Sequence, residues 1–136
     1  MIELVLAAAL AQAADPCHVG QPDAGPPHCP RWRQVQLVRA ITDASGYVDP
    51  ASARRDGNVV EINTLTVPTA PIGGNVARFV ARVRLDCVAR TTRVLHFTGY
   101  DAAGGIVHDA PAGLAAAEPA PAGSPRAALI DEFCAR

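Results

Sequence analysis

Four cysteines and four histidines are the side chains of this 136-residue chain with the widest chemical range. Two of each crowd into one short stretch, where His18 follows Cys17 and His28 precedes Cys29. Residues 15–30 are rich in Pro and Gly and show no regular period, so the stretch is an ordered loop only if something ties it. A Cys17–Cys29 disulfide would do so, closing a loop of about a dozen residues and contributing on the order of 3 kcal/mol. A metal site made of the two Cys-His pairs is the alternative. Ligand sets are usually spaced by two or more residues so that both side chains converge, which adjacent pairs do poorly. In an oxidising compartment the disulfide is the expectation. His96 and His108 fall on strands predicted to be neighbours, and on a shared face they would be candidates to hold a metal or haem iron. Lone strand histidines are more often surface residues, so no cofactor is assigned and haem stays open as the one candidate.

A hydrolytic set is not apparent. Asp49 and Ser52 with a distant histidine lack the nucleophile elbow and the oxyanion-forming Gly pattern that such a triad needs. An Asp-Pro-x-Ser turn accounts for both residues through local backbone hydrogen bonds. The cysteines include no C-x-x-C pair, which removes the usual dithiol redox chemistry. The chain therefore reads as non-enzymatic.

The clearest cationic feature is Arg78, Arg82 and Arg84. Phe79, Ala81, Val83, Leu85 and Cys87 fall on one face of a strand, while these arginines and Asp86 fall on the other, with Val80 the apolar exception. That is a period of two, and a helix would scatter the arginines around its circumference. After the polar segment Val88 to Thr92, the stretch Arg93 to Tyr100 puts Leu95 and Phe97 on one face and Val94, His96, Thr98 and Tyr100 on the other. The two runs predict a β-hairpin with one apolar side. The arginine ladder is either a solvated face that blunts edge pairing or a binding patch.

The elements that must position these groups follow from the rest of the chain. At this length one domain is expected, able to bury roughly two-thirds of its unfolded surface. Aromatic residues make up 4% of the chain, so large core fillers are scarce and most are expected to be buried. All twelve basic residues are arginine, which with abundant Ala, Pro and Gly reflects a GC-rich coding bias. Residues 1–13 resemble a secretory leader: Ile2 to Leu10 is apolar apart from Glu3, and Ala11-Gln12-Ala13 is a small-x-small cleavage pattern. Its n-region carries an acid and no base, and a buried N-terminal helix is the competing reading. Losing Glu3 with the leader leaves acids and arginines balanced, so no global field draws in nucleic acid or anionic membranes. No later stretch approaches the ~20 apolar residues of a membrane span. A periplasmic or extracellular location via the leader is expected.

Trp32 to Ile41 is a strand candidate, Asp43 to Gly46 a turn, and Tyr47-Val48 a short strand ended by Asp49-Pro50. Residues 50–55 are predicted to form a helical turn, Asp56-Gly57-Asn58 turns the chain again, and β-branched Val59 to Val67 is another strand. Residues 68–75, with two prolines and Gly73-Gly74, form a loop, and Ile106 to Asp109 is a short strand. Residues 110–123 are expected to cross from sheet to helix without regular structure. Ser124-Pro125 marks a helix start, Ser as N-cap and Pro at the first helical position. Ala127, Ile130, Phe133 and Cys134 share one face by three-and-four spacing. So short a helix does not hold together alone in water and must dock.

Several of these stretches resemble the bacterial surface-adhesin E-like domain family: Trp32; Tyr47 through Asn58; Arg84 through Arg90 continuing to Arg93; Thr98 to Asp101; and Gly123-Ser124-Pro125 through Phe133-Cys134. The resemblance covers about residues 32–134. It implies an α+β fold, an antiparallel sheet of about six strands with a C-terminal helix held on one face by a disulfide, here Cys87–Cys134. The domain organisation is then a signal peptide at 1–13, a Pro/Gly-rich segment at 14–31 and a surface-adhesin E-like domain at 32–136. The best-known members bind host matrix proteins, and haem binding is also associated with the family. The functional expectation is an exported binding module with an envelope or host matrix protein as partner, and a homodimer is compatible with it. The alternatives are a haem- or metal-binding envelope protein and a periplasmic inhibitor of an envelope hydrolase. The 17–29 segment and the 68–75 loop depart from the family pattern.

Overall fold

The computed structural model describes residues 32–35, 44–112 and 116–135. Among the described residues seven strands precede one helix: β1 (Arg33–Val35), β2 (Ala44–Asp56), β3 (Val59–Pro68), β4 (Arg78–Asp86), β5 (Thr91–Tyr100), β6 (Ile106–Pro111), β7 (Glu118–Pro119) and α1 (Pro125–Cys134). Strands β1 to β6 lie side by side in chain order, every pair antiparallel, and the two-residue β7 pairs with the start of β5. This is the α+β arrangement expected, six strands in a meander and a C-terminal helix.

The turns carry their own chemistry. Gly57 sits at φ 60° between β2 and β3, in the left-handed region that glycine enters without a Cβ penalty. Between β4 and β5 the Asp86 carboxylate accepts from the N–H groups of Val88 and Ala89 at 3.0 and 2.8 Å.

Register assigns each side chain to a face, because directly paired residues project to the same side. Val60↔Leu85, Ile62↔Val83, Thr64↔Ala81 and Thr66↔Phe79 share one face, and Glu61↔Arg84, Asn63↔Arg82 and Leu65↔Val80 share the other. Helix α1 lies on the first. Ala127, Leu129, Ile130 and Phe133 pack there with Val48, Val60, Ile62 and Leu85 into the main core, and Ile62, Leu85 and Ile130 are fully buried. Each such aliphatic side chain contributes about 1.5–3 kcal/mol on burial. A smaller cluster, Trp32 and Leu65 with Tyr47, Val67 and Val80, occupies part of the second face.

The helix begins as its sequence dictates. Ser124 Oγ accepts from the Ala127 N–H at 3.1 Å, and Pro125 opens the first turn. At its other end the disulfide Cys87–Cys134 joins it to the end of β4, with the Cα atoms 5.7 Å apart. Arg55 Nη1 donates to the Cys134 carbonyl at 2.7 Å, satisfying one of the carbonyls that a helix C-terminus leaves open.

Several local expectations are corrected. Ala44 to Gly46 does not turn but opens β2, paired with Pro68, Val67 and Thr66. Residues 50–55 are not a helical turn. Strand β2 continues through them as a wide irregularity between the pairs Asp49↔Asn63 and Arg54↔Glu61. Pro50 has no N–H to give the ladder, and Ser52 Oγ takes over, donating to the Asp49 carbonyl at 2.6 Å and accepting from the Asn63 N–H at 2.8 Å. In β5 a second irregularity leaves Leu95 extra, because Arg82 pairs with His96 and Val83 with Val94. Val94 therefore joins the helix-covered face rather than the face of His96. Residues 118–119, expected to be irregular, pair with Thr91 and Thr92. The expected strand Trp32 to Ile41 is observed over Arg33–Val35, with Trp32 just ahead of it, and residues 36–41, the 1–13 leader and the Cys17–Cys29 pair lie outside the described residues.

The staple generates a test. It closes a sequence separation of 47 residues, and for a loop of that size removal costs about 2–4 kcal/mol. In urea denaturation under oxidising conditions, Cys87→Ala with Cys134→Ala is expected to lower the midpoint accordingly. An unchanged midpoint contradicts the docking role.

Candidate functional site

With α1 on one side, the opposite face of the sheet presents its polar side chains outward. Alternation along four strands builds a row that no single strand contains: Arg54 on β2 pairs with Glu61 on β3, Glu61 with Arg84 on β4, and Arg84 with Arg93 on β5. Arg84 and Glu61 approach to 3.8 Å, and their side chains are 44% and 36% exposed. Arg54 is exposed, and its Nη1 is held along the irregular part of β2 by the carbonyls of Ala51 and Ala53, at 3.1 and 2.8 Å. Arg82 stands in the next row. Its Nη1 donates to the Ser52 carbonyl and Asn63 Oδ1, both at 3.1 Å, and its Nε lies 3.9 Å from Glu61 Oε1.

The expected ladder Arg78, Arg82, Arg84 is thereby redrawn. The three arginines do share a face, but Arg78 is only 8% exposed and is no solvated surface group. It pairs with Tyr100, whose hydroxyl titrates above its ordinary range because of burial and then the Asp109 carboxylate, with Arg78 pulling the other way. Arg82 is half-buried in its own hydrogen bonds. Arg54 and Arg93 are the members that strand-by-strand reading missed. Counting back from the β4–β5 turn pairs Arg93 with Arg84 at once, whereas Arg54 reaches the row only through the irregularity at residues 50–53.

The histidines separate. His96 Nε2 lies 2.5 Å from Asp109 Oδ1, which also accepts from Thr98 Oγ1 at 3.0 Å. His108 pairs with Gly99 on the helix-covered face and stacks edge-on against Phe97, centroids 5.4 Å apart. The shared face that a joint site would need is not formed: the β5–β6 register sets His96 opposite Pro111, on the other side of the sheet from His108. His18 and His28 lie outside the described residues. Among the described residues no three His, Cys, Asp or Glu side chains converge on a metal position. Ser52 and Asp49 are engaged with backbone in the irregular part of β2, as the turn reading expects.

On the covered face a cleft of about 120 Å³ opens beside α1, lined by Phe79, Val83, Val94, Leu129, Thr66 and Arg126 among others. Its one charged wall residue, Arg126, is ion-paired with Glu118. The cleft thus has a largely apolar body with the threonines Thr64, Thr66 and Thr92 and the ion-paired Arg126 on its walls.

The family described as surface-adhesin protein E matches residues 32–135, a span that contains every described strand and α1. The chain belongs to the surface-adhesin protein E family. No curated protein and no solved structure matches it. The surface-adhesin protein E domain thus includes both the stapled helix and the open charged face. Its family suggests a binding role and an extracellular or surface location, and the disulfide fits an exported protein. No described helix is long and apolar enough to cross a membrane.

Hydrogen bonds from His96 and then Thr98 hold the Asp109 carboxyl below its ordinary 3.8. A carboxyl depressed in the folded state contributes stability above the ordinary carboxylate range, and loses it as pH falls through the depressed value. NMR titration of Asp109 should give a midpoint below 3.8 that returns toward it in His96→Ala with Thr98→Val. A midpoint at or above the ordinary value contradicts the assigned contacts.

Proposed function

We propose that this chain is an exported, non-enzymatic binding module that engages a protein of the bacterial envelope or of a host matrix through the open face of its sheet. The family match over residues 32–135 carries this reading. Geometry supports it: α1 and the Cys87–Cys134 staple fill one face, while the other presents charged side chains from four neighbouring strands. A rigid sheet bearing its contact groups on strands rather than loops holds them in place before a partner arrives, which lowers the ordering cost of association. Residues 1–13 act in this reading as the export signal, and Cys17–Cys29 as a second disulfide tying the 14–31 segment ahead of the domain.

The test is capture by the full oxidised protein, immobilised and exposed to solubilised envelope fractions and to purified matrix proteins. Saturable binding of a defined protein is expected. Nothing retained above a blocked-surface control contradicts the reading, and inhibition of a lysozyme or protease in a parallel activity screen replaces it with an inhibitor.

A further inference from the structure

The cleft on the covered face is a furrow along β4. Its walls take successive positions of that strand and its neighbours that point to the same side: Thr92, then Val83 with Val94, then Ala81, then Phe79 with Thr66. Thr92 pairs with Leu85 and Thr66 with Phe79, so the two ends lie ~20 Å apart along β4 at ~3.4 Å per residue. The volume of about 120 Å³ is well below the ~300 Å³ of a drug-sized pocket. Drawn out over that length, it is room for a slim chain rather than for a ring system.

Two hydroxyls on the walls are unmatched. Thr66 and Thr92 are only 3% and 6% exposed. Thr64 Oγ1 donates to the Ala81 carbonyl at 3.3 Å, whereas the hydroxyls of Thr66 and Thr92 have no hydrogen-bond partner among the described residues. A hydroxyl buried without a partner loses its hydration and gains nothing in exchange. Valine would fill the same space without that cost.

Charge narrows the class further. Glu118, which pairs with Thr92 across β7 and β5, holds the Arg126 guanidinium in an ion pair at that end of the furrow. The one charged group on the wall is therefore neutralised, and the cleft favours an uncharged occupant. Phe79 is packed against the Phe97 ring, centroids 4.9 Å apart, and Leu129 is buried, so the walls are in place before a ligand arrives.

We propose that this cleft binds a slim, uncharged chain molecule, largely methylene, with a hydroxyl or carbonyl oxygen near each end. The chain lies along β4 over Val83, Ala81 and Phe79, and its polar ends meet Thr92 and Thr66. A threonine hydroxyl both donates and accepts, so it serves either kind of oxygen. The site lies on the other side of the sheet from the protein-binding face proposed above, and neither depends on the other.

The experiment is methyl NMR of the full oxidised protein titrated with α,ω-decanediol. Saturable shifts are expected at Val83, Val94 and Leu129. Thr66→Val and Thr92→Val should each weaken the diol about fivefold, the worth of one hydrogen bond, while Arg84→Gln on the open face leaves its affinity unchanged. Decanedioate, a chain of the same length with two charged ends, should bind at least about tenfold more weakly. The valine variants carry a second readout without ligand. Replacing an unmatched hydroxyl by a methyl group leaves the melting temperature equal or higher, whereas losing a hydroxyl satisfied in the fold lowers it. Absence of saturable shifts, undiminished affinity in both folded variants, decanedioate binding as tightly as the diol, or a lowered melting temperature in either valine variant overturns the proposal. Capture of a protein partner is a separate measurement, so the binding-module reading stands or falls without this one.

Discussion

The structure depends on the docking of a ten-residue helix onto one face of an antiparallel sheet. A helix of that length is marginal in water, because nucleation is unfavourable and few hydrogen bonds follow to offset it. Its persistence comes from burying Leu129, Ile130 and Phe133 against Val60, Ile62 and Leu85, with Cys134 covalently fixed to Cys87. Arg33 to Glu132 and Arg90 to Asp131 join its flanks to β1 and to the β4–β5 turn. Those exposed ion pairs contribute little individually and serve mainly to orient the helix. A sheet otherwise open on both sides thereby becomes two-layered, with its main core on one side.

Closing one face determines what the other can do. The second face carries the small cluster around Trp32 and Leu65, and many of its remaining strand positions are polar. Arg54 and Arg84 stand exposed there, with Glu61 between them. The rigid scaffold and the open polar face are two consequences of one asymmetry.

Much of this was legible before any coordinates. Alternation from Phe79 to Leu85 identified both the strand and its inward face, since a period of two over so many residues has no helical equivalent. Ser124-Pro125 announced the helix, and its apolar spacing said that the helix must dock. Asp49 and Ser52 were read as a backbone-bonding turn rather than a catalytic pair, and the hydrogen bonds agree. The Cys87–Cys134 pairing came from family resemblance, and the bond is present.

What escaped was register. The extra residue Leu95 moved Val94 to the other face, and the pairing of β5 with β6 put His96 and His108 on opposite sides. Neither slip has a signature in local composition, because a bulge depends on what the partner strand offers. Arg78 shares its strand face with Arg82 and Arg84 yet is buried beside Tyr100, and Arg54 joined the row only after the irregular stretch of β2. Methyl NMR of the protein with its captured partner tests the central asymmetry most directly, since Leu65 and Val80 report the open face and Ile62 and Ile130 the closed one. The account predicts shifts at Leu65 and Val80 with Ile62 and Ile130 unmoved, and the reverse pattern would contradict it.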